Sequence, residues 1–316
     1  MKFFAGIDGG GTKTRVCCCG LDGIEIAART FGAFNINSIG LEKFRTLLSD
    51  ITAFLRDVGE CAAVCIGSAG ISNEAMADAV SEAMKEAGIG NWKLVGDNVI
   101  ALAGALDGGA GIILIAGTGS ICFGRGRNGE EARSGGWGHL IGDEGSAYAL
   151  GRDALSAVAR AMDGYGEHTM LTALLASELG LNTRPGIISY TYGGDKSTVA
   201  ALSRLVETAA AAGDEVALNI ISDNAEKMAE LVGAVAGKLD LGRTEVAMLG
   251  GMLENDTFLR ARFIEVMERR FPDITCISPK KDACAGAVMM AKEMLNRIIR
   301  IVSSEIFPEQ QGPIHA

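Results

Sequence analysis

Short apolar runs alternate along the chain with apolar residues at helical spacing. The runs predict strands, residues three and four positions apart predict helices, and the alternation of the two indicates an α/β fold. The predicted strands cover residues 3–8, 14–19, 25–29, 61–66, 92–95, 111–116, 120–124, 246–249 and 275–277. The predicted helices cover residues 41–55, 74–86, 100–106, 146–162, 171–179, 199–212, 219–239, 257–271 and 283–302.

Glycine clusters follow several of these strands. DGGGTKT, which begins at Asp8, and AGTGS, which begins at Ala116, each join two strands as the tip of a hairpin. GGWGH and GDEGS follow between residues 135 and 146. Ordinary turns explain single glycines, but they do not explain three glycine clusters after an apolar run. Backbone amides that contact a phosphate or a sugar need clustered glycines, because a Cβ would hold the ligand away. We therefore interpret the clusters as ligand loops.

The two hairpins mark an internal duplication. I-D-G-G-G-T from Ile7 and I-A-G-T-G-S from Ile115 occupy matching places, each opening one half of the chain. The repeat predicts two similar α/β domains, residues 1–112 and 113–302, with a cleft between them and a loose tail at 303–316. Ala116 stands where the first copy has Asp8, so a carboxylate that could hold Mg²⁺ through water belongs to the first half alone.

Composition and charge exclude several classes of function. The net charge of −10 argues against a nucleic-acid surface, which needs a basic face. No segment has the length of a membrane span, and the apolar run at the N-terminus is too short for a secretion signal. The eight cysteines show no paired C-x-x-C spacing and favour reduced thiols. We expect a cytoplasmic protein without a nucleic-acid or membrane partner.

The remaining polar residues suggest a chemistry. Two glycine hairpins facing each other across a cleft can grip a triphosphate, and Gly250-Gly251 after a strand lets an adenosine lie against the backbone. Asp97 is expected on a loop at the cleft edge, where its carboxylate would lie near the transferred phosphoryl group. The spacing is not that of a Walker P-loop, because a strand follows the glycines. This constellation indicates ATP-dependent phosphoryl transfer.

These motifs also carry a family resemblance. The order DGGGTKT, GDN, AGTGS, ARSGGWGHLIGDEGSAY and LGGMLEND resembles the N-acetylglucosamine and N-acetylmuramic acid kinase branch of the BadF/BadG/BcrA/BcrD ATPase family. The similarity runs from about Lys2 to the last helix. It implies two duplicated RNase H-like domains of the actin-like ATPase type with an interdomain cleft, and ATP and Mg²⁺ as cofactors.

The resemblance also implies residue roles. Asp97 falls at the family's catalytic base and also contacts the sugar; its flanks are Gly96 and Asn98 instead of the family's Thr-Asp-Ala or Asn-Asp-Ala. Asp8 lies on the Mg²⁺ side. The implied phosphate loops are Gly10, Gly11, Thr12 and Lys13, then Gly117, Thr118, Gly119 and Ser120, and the implied adenosine loop is Gly250 and Gly251. The implied amino-sugar contacts are Asn35, Ala69, Gly70, Gly135, Gly136 and Asp143, with Ala69 replacing a frequent serine.

The resemblance thus implies a sugar kinase acting on the 6-hydroxyl of N-acetylglucosamine, N-acetylmuramic acid or both, in cell-wall sugar recycling, and we expect a homodimer. In the implied mechanism the sugar hydroxyl attacks the γ-phosphate in line, and Asp97 accepts its proton. Orientation of the hydroxyl matters more than base strength in a loose transition state.

Alternatives remain at the level of the sequence. The chain could be a family activator ATPase for an iron-sulfur dehydratase or reductase, although AGTGS lacks that branch's cysteine, or a glucosamine kinase, or a non-catalytic sugar sensor. Asn35 could serve as the N-cap of a helix without contacting a sugar. Asp143 and Glu144 could stand at the start of the following helix without contacting a sugar. His139 and Trp137 are expected to be structural.

Overall fold

The computed structural model describes residues 1–69, 71 and 73–306, with side chains as far as Arg297. Its strands are β1 Lys2–Gly9, β2 Thr14–Gly20, β3 Glu25–Phe31, β4 Glu60–Ser68, β5 Trp92–Val95, β6 Gly111–Ala116, β7 Ser120–Arg125, β8 Glu131–Gly135, β9 Thr244–Leu249 and β10 Ile274–Ile277. Its helices are α1 Ile36–Ile39, α2 Leu41–Val58, α3 Glu74–Glu86, α4 Asp97–Ala105, α5 Ala147–Met162, α6 Met170–Leu179, α7 Arg184–Gly193, α8 Lys196–Ala200, α9 Ser203–Ala211, α10 Glu215–Lys238, α11 Gly251–Glu254, α12 Phe258–Arg270 and α13 Ala283–Ile306.

The chain forms two compact units. The first contains Met1–Gly109 together with the residues from Lys280 onward, and the second contains Ala110–Pro279. Each unit is built on one mixed five-stranded sheet with helices packed against it. None of the helices that the structure describes combines the length and the hydropathy needed to cross a membrane.

The first sheet has the order β3-β2-β1-β4-β5. β2 is antiparallel to β1 and β3, whereas β4 runs parallel to β1 and β5 runs parallel to β4. The carboxyl ends of β1, β3, β4 and β5 therefore meet at one edge of the sheet. The helix α2 covers one face, because Phe44, Leu48, Ile51 and Leu55 recur at helical spacing and are all buried.

The second sheet repeats this arrangement. Its order is β10-β9-β6-β7-β8, with β7 antiparallel to β6 and β8, and with β9 and β10 parallel to β6 and β9. β6 to β10 thus correspond in turn to β1 to β5. This correspondence confirms the predicted α/β fold of two duplicated RNase H-like domains. Again the carboxyl ends of four strands lie at one edge.

The last helix belongs to the first unit, although the sequence places it in the second predicted domain. α13 packs against α4, β1 and β4, and Cys284, Ala287, Val288 and Ala291 are buried there. The contact with α4 is close, since a methyl group at Gly286 would collide with the carbonyl oxygen of Ile100. The apolar stripe of α13 predicts that the helix is buried, but sequence order does not tell which sheet it covers.

Other boundaries also differ from the expected ones. α13 continues through residues 303–306, which the sequence assigns to a loose tail, and residues 307–316 lie outside the described part of the chain. The predicted helix at 199–212 is two helices, α8 and α9, and α7 and β8 were not predicted. The β8 sequence EARSG has only one fully buried residue, so it carries little apolar signal.

Candidate functional site

The predicted site residues of the first unit lie along one edge of its sheet. Asp8 is near the end of β1, Ala69 follows β4, and Asp97 follows β5. Asn35 lies beyond the end of β3, whose direction is that of β1. Parallel pairing therefore brings to one edge four segments that are up to 89 positions apart, Asp8 and Asp97 being the extremes. Gly70, another predicted sugar contact, lies outside the described residues.

Phe34 ties three of these segments together. Its backbone N–H donates to the carbonyl oxygen of Gly10 at 2.9 Å, and its own carbonyl accepts from the Ser68 hydroxyl at 3.4 Å. The Phe34 ring lies under the first hairpin, where a Cβ on Gly9 would meet it at 2.7 Å. The buried ring thus holds Asn35 beside the glycine hairpin and the end of β4.

Asn35 does cap a helix. Its side-chain oxygen accepts from the N–H of Asn37 at 3.1 Å at the start of α1. The capping role that the sequence allows is therefore observed. The side-chain amide group is at the same sheet edge as Asp97.

Asp97 is the first residue of α4, and the expectation that it lies on a loop is wrong. Gly96 is the N-cap residue and offers no side-chain hydrogen bond, so the sequence contains no polar cap to reveal the helix start. The exposed carboxylate of Asp97 accepts from the N–H of Asn98 at 2.9 Å. A helix N-terminus favours a negative charge.

The Asp8 carboxyl is partly buried and lies near other negative charges. Burial raises the pKa of the Asp8 carboxyl above its ordinary value, and the negative charges of Asp97 and Asp282 raise it further. Lys13 and Arg15 act in the opposite direction. Removing a carboxylate from water and placing others beside it disfavours the charged form, which a bound cation would stabilise. Among the described residues, no group of three or more His, Cys, Asp or Glu side chains is arranged to hold a metal ion.

The second unit brings AGTGS and GDEGS together. The carbonyl of Gly117 accepts from the N–H of Ala147 at 2.8 Å, and the hydroxyl of Ser120 donates to the carbonyl of Glu144 at 2.7 Å. Ser120 is buried, and its hydroxyl, a predicted phosphate contact, is used in this hydrogen bond within the loops. Thr118 is exposed. The two motifs form one cluster at the end of β6.

Asp143 lies inside this cluster. It is 3% exposed, and its carboxylate accepts from Lys196 Nζ at 2.6 Å and from the N–H of Ser120 at 3.4 Å. Its φ of 63° is in the left-handed region, which aspartate tolerates better than most residues. Lys196 is a residue that the sequence pattern did not single out, because it lies 53 positions further along the chain.

Asn224 fixes the other end of GDEGS. This buried side chain accepts from the N–H of Gly145 at 3.0 Å and donates to Asp153 Oδ2 and to the carbonyl of Ile220, both at 2.9 Å. Gly145 must be glycine, because its φ is +71° and a Cβ would collide with Met228. The sequence does not predict a role for Asn224 in the site either, because in sequence it is one of several polar residues in a predicted helix.

The GGWGH segment follows β8. Gly135 and Gly136 have φ values of 72° and 70°. His139 packs edge-to-face on Tyr148 at 4.7 Å between ring centroids, as the structural interpretation of this residue expects. Trp137 is instead 65% exposed, with the Arg133 guanidinium 5.2 Å from its ring centroid, so it does not pack in the core.

The glycines of the loops differ in what the fold demands of them. At Gly250, φ is +87° and a Cβ would collide with the backbone of Ala116, so the fold itself requires glycine. At Gly11 and Gly117, φ is not positive and a Cβ would meet nothing within 4 Å. Gly251 is almost as open, with its nearest contact at 3.7 Å. The protein alone gives no reason for glycine at these three positions.

Comparison with known proteins relates this chain to a family. It matches the model of the BadF/BadG/BcrA/BcrD ATPase family over residues 5–291. It is 37% identical to an N-acetylmuramic acid/N-acetylglucosamine kinase of Clostridium acetobutylicum, over 92% of this chain and 99% of the relative. It is 31% identical to an N-acetyl-D-glucosamine kinase of Dictyostelium discoideum, over 92% of this chain and 98% of the relative.

The fold is shared with a crystal structure of a proposed N-acetylglucosamine kinase from Chromobacterium violaceum. The two superpose with a TM-score of 0.72 at 27% identity, over 93% of this chain and 99% of that one. The similarity agrees with the duplicated actin-like ATPase architecture of the two sheets.

The hydrogen bonds of Asn224 can be tested by substitution. Asn224→Ala leaves the N–H of Gly145 without its acceptor, and we expect a loss of about 1–3 kcal/mol in the free energy of unfolding. Asn224→Asp places a second carboxylate against Asp153, and burial and repulsion raise its folded-state pKa above about 3.9. The stability of this variant should therefore fall, relative to wild type, as pH rises through that raised pKa.

Urea unfolding at pH 5 and pH 8 measures both effects. Asn219→Asp, on the exposed face of the same helix, is the matched control and should show no such pH-dependent loss. Equal deficits for Asn224→Asp at the two pH values would contradict the assigned hydrogen bonds.

Proposed function

Because the chain belongs to the BadF/BadG/BcrA/BcrD ATPase family, we propose that it is a sugar kinase that transfers the γ-phosphoryl group of ATP to an N-acetylated amino sugar. The acceptor we propose is the 6-hydroxyl of N-acetylglucosamine, N-acetylmuramic acid or both. The observation that carries the proposal is the pair of open glycine hairpins at corresponding ends of β1 and β6. The two curated kinase relatives support the amino-sugar class.

The hairpins are suited to bind the phosphates of ATP. In the proposal, Gly10 to Lys13 form one phosphate loop and Gly117 to Ser120 form the other. Space at Gly11 and Gly117 lets a phosphate oxygen approach backbone amides, and Lys13 adds a positive charge. Gly251, which is also open, would contact the adenosine, and Gly250 sets the backbone conformation before it.

Asp8 would hold Mg²⁺ in this proposal. Mg²⁺ in kinases is held by one or two carboxylates together with phosphate oxygens and water, so a dense protein cage is not needed. When bound, the ion neutralises negative charge on the transferred phosphoryl group. The crowding of negative charge around the Asp8 carboxyl fits this role.

Asp97 would act on the acceptor hydroxyl. Its exposed carboxylate lies at the N-terminus of α4, where it would accept the hydroxyl proton as the oxygen attacks phosphorus. Positioning of the two reactants accounts for much of such a reaction and can supply on the order of 7–11 kcal/mol. The proposed role of Asp97 is therefore orientation first and proton acceptance second.

The sugar contacts are the finer part of the proposal. Asn35, Ala69 and Gly70 in the first unit and Gly135, Gly136 and Asp143 in the second remain proposed contacts. One carboxylate oxygen of Asp143 is already engaged by Lys196 and the other by the Ser120 amide. In this proposal Asp143 reaches the sugar while also bracing the AGTGS loop.

The activator ATPase alternative loses support at Cys122. That cysteine lies in β7 next to AGTGS, it is 0% exposed, and burial raises the pKa of its thiol. A thiol enclosed in the core of one unit is unsuited to ligate a cluster at a subunit interface.

As physiological setting we propose cell-wall sugar recycling in the cytoplasm, and as assembly a homodimer, the commonest symmetric state.

Asp97 provides the first test of the proposed function. Asp97→Asn should lower kcat by roughly 10²- to 10⁴-fold while ATP binding is kept, because the proton acceptor is removed and no proposed ATP contact is lost. A coupled assay of ADP release with N-acetylglucosamine, N-acetylmuramic acid, glucosamine and glucose measures this, and the wild type should turn over the N-acetylated sugars best. Glu74→Gln, an exposed carboxylate in the first turn of α3, is the control and should behave as wild type. Near wild-type turnover by Asp97→Asn would exclude it as the base.

The open glycines provide a second test. Gly11→Ala and Gly117→Ala should each raise the KM for ATP at least several-fold without loss of thermal stability, because the new methyl group occupies only ligand space. Gly90→Ala and Gly237→Ala are controls at open, exposed sites in the same two units and should leave KM unchanged. Unchanged ATP kinetics in both loop variants would argue against a phosphate at either hairpin.

A further inference from the structure

An ion pair lies against the turn of the second glycine hairpin. Lys196 Nζ donates to Asp143 Oδ2 at 2.6 Å, at the first residue of the short helix α8. A Cβ built on Gly119 would lie 2.7 Å from Lys196 Nζ and 2.9 Å from Asp143 Oδ2. The ammonium group and the carboxylate are therefore both in contact with the backbone of AGTGS.

The two partners are buried unequally. The Asp143 side chain is 4% exposed and the Lys196 side chain is 32% exposed. A buried carboxylate needs a positive partner, which explains why Lys196 approaches it. The ammonium group, however, has three N–H donors, and the hydrogen bond to Asp143 uses one of them. A partly exposed cation beside the loop can also bind an anion.

The duplication shows that the second hairpin lacks the cation that the first one carries. Aligning I-D-G-G-G-T-K from Ile7 with I-A-G-T-G-S-I from Ile115 places Lys13 opposite Ile121. The first hairpin thus carries its own positive charge, and the second contains no charged residue between Ile115 and Ile121. Lys196 brings an ammonium group to the second hairpin from a distant part of the chain.

We propose that Lys196 binds a phosphate oxygen of ATP at the AGTGS loop, and that Asp143 positions its ammonium group there. This inference rests on the proposed function, because it assumes that AGTGS binds nucleotide phosphate. It adds a cationic residue to the loop, and it gives the buried carboxylate of Asp143 a role at the phosphates. The competing explanation is that the ion pair only stabilises the folded loop.

Nucleotides that differ in phosphate content separate these explanations. Equilibrium titration of the full chain with ATP, ADP and adenosine, without sugar, gives each affinity. Lys196→Met should weaken ATP and ADP binding about ten- to a hundred-fold, the range for a lost charge-assisted hydrogen bond, and leave adenosine binding unchanged. Lys196→Arg should retain most of the ATP affinity. Lys227→Met, an exposed lysine on α10, is the control.

A double variant keeps the test decisive if Lys196→Met unfolds. Lys196→Met combined with Asp143→Asn removes both charges, so no unpaired carboxylate stays buried and the thermal midpoint should recover. We expect ATP binding to remain weak in this folded variant. Recovery of ATP affinity together with stability would overturn the inference, because the pair would then be only structural.

The outcomes also separate this inference from the proposed function. Wild-type protein that binds ATP, with unchanged affinity in Lys196→Met, would refute the role of Lys196 and leave the kinase proposal intact. Wild-type protein that binds no ATP would refute both.

Discussion

Parallel pairing of strands is the constraint on which the candidate site depends. β4 and β5 run in the direction of β1, and β9 and β10 run in the direction of β6. Segments distant in sequence therefore end at the same sheet edge, where no further ladder hydrogen bonds use their backbone groups. Open α/β sheets bind ligands at the carboxyl ends of their strands. The duplication provides two such edges, one in each unit.

The glycines at these edges serve two different purposes. Gly145 and Gly250 allow backbone conformations and close approaches that a Cβ would prevent, so their reason lies in the protein. Gly11 and Gly117 have neither a positive φ nor a neighbour that a Cβ would meet. Gly90 and Gly237 are equally open, so Gly11 and Gly117 differ from them only in lying at the tips of the two β-hairpins. We propose that the ligand at these tips is a nucleotide phosphate.

Buried polar residues then hold the loops of the second unit. Hydrogen bonds of Asp143 and Ser120 connect AGTGS to GDEGS, and a hydrogen bond of Asn224 connects GDEGS to α10. Each of these side chains is buried, so each hydrogen bond replaces water and any lost partner is costly. This arrangement keeps the backbone of the loop in a fixed shape before a ligand arrives, as binding of phosphate by amides requires.

The sequence predicts the repeated strands and both hairpins, because apolar runs and glycine clusters are local signals. It does not predict β8, since EARSG is mostly polar, or the start of α4 at Asp97, since Gly96 provides no polar cap. Helical periodicity shows that α13 is buried on one face, but it does not show which sheet the helix packs against. Lys196 is not predicted for the same reason, because it lies 53 positions from Asp143 in the chain and contacts it only in the folded protein.

Amide hydrogen exchange with and without ATP and Mg²⁺ would show whether the two hairpins bind nucleotide, because it reports on the backbone of both hairpins in a single experiment. If both hairpins bind phosphate, nucleotide should slow exchange in peptides spanning residues 9–13 and 117–120 and leave the exposed turn around Gly90 unaffected. Slowed exchange elsewhere with neither hairpin protected would contradict the assignment of the hairpins as phosphate loops.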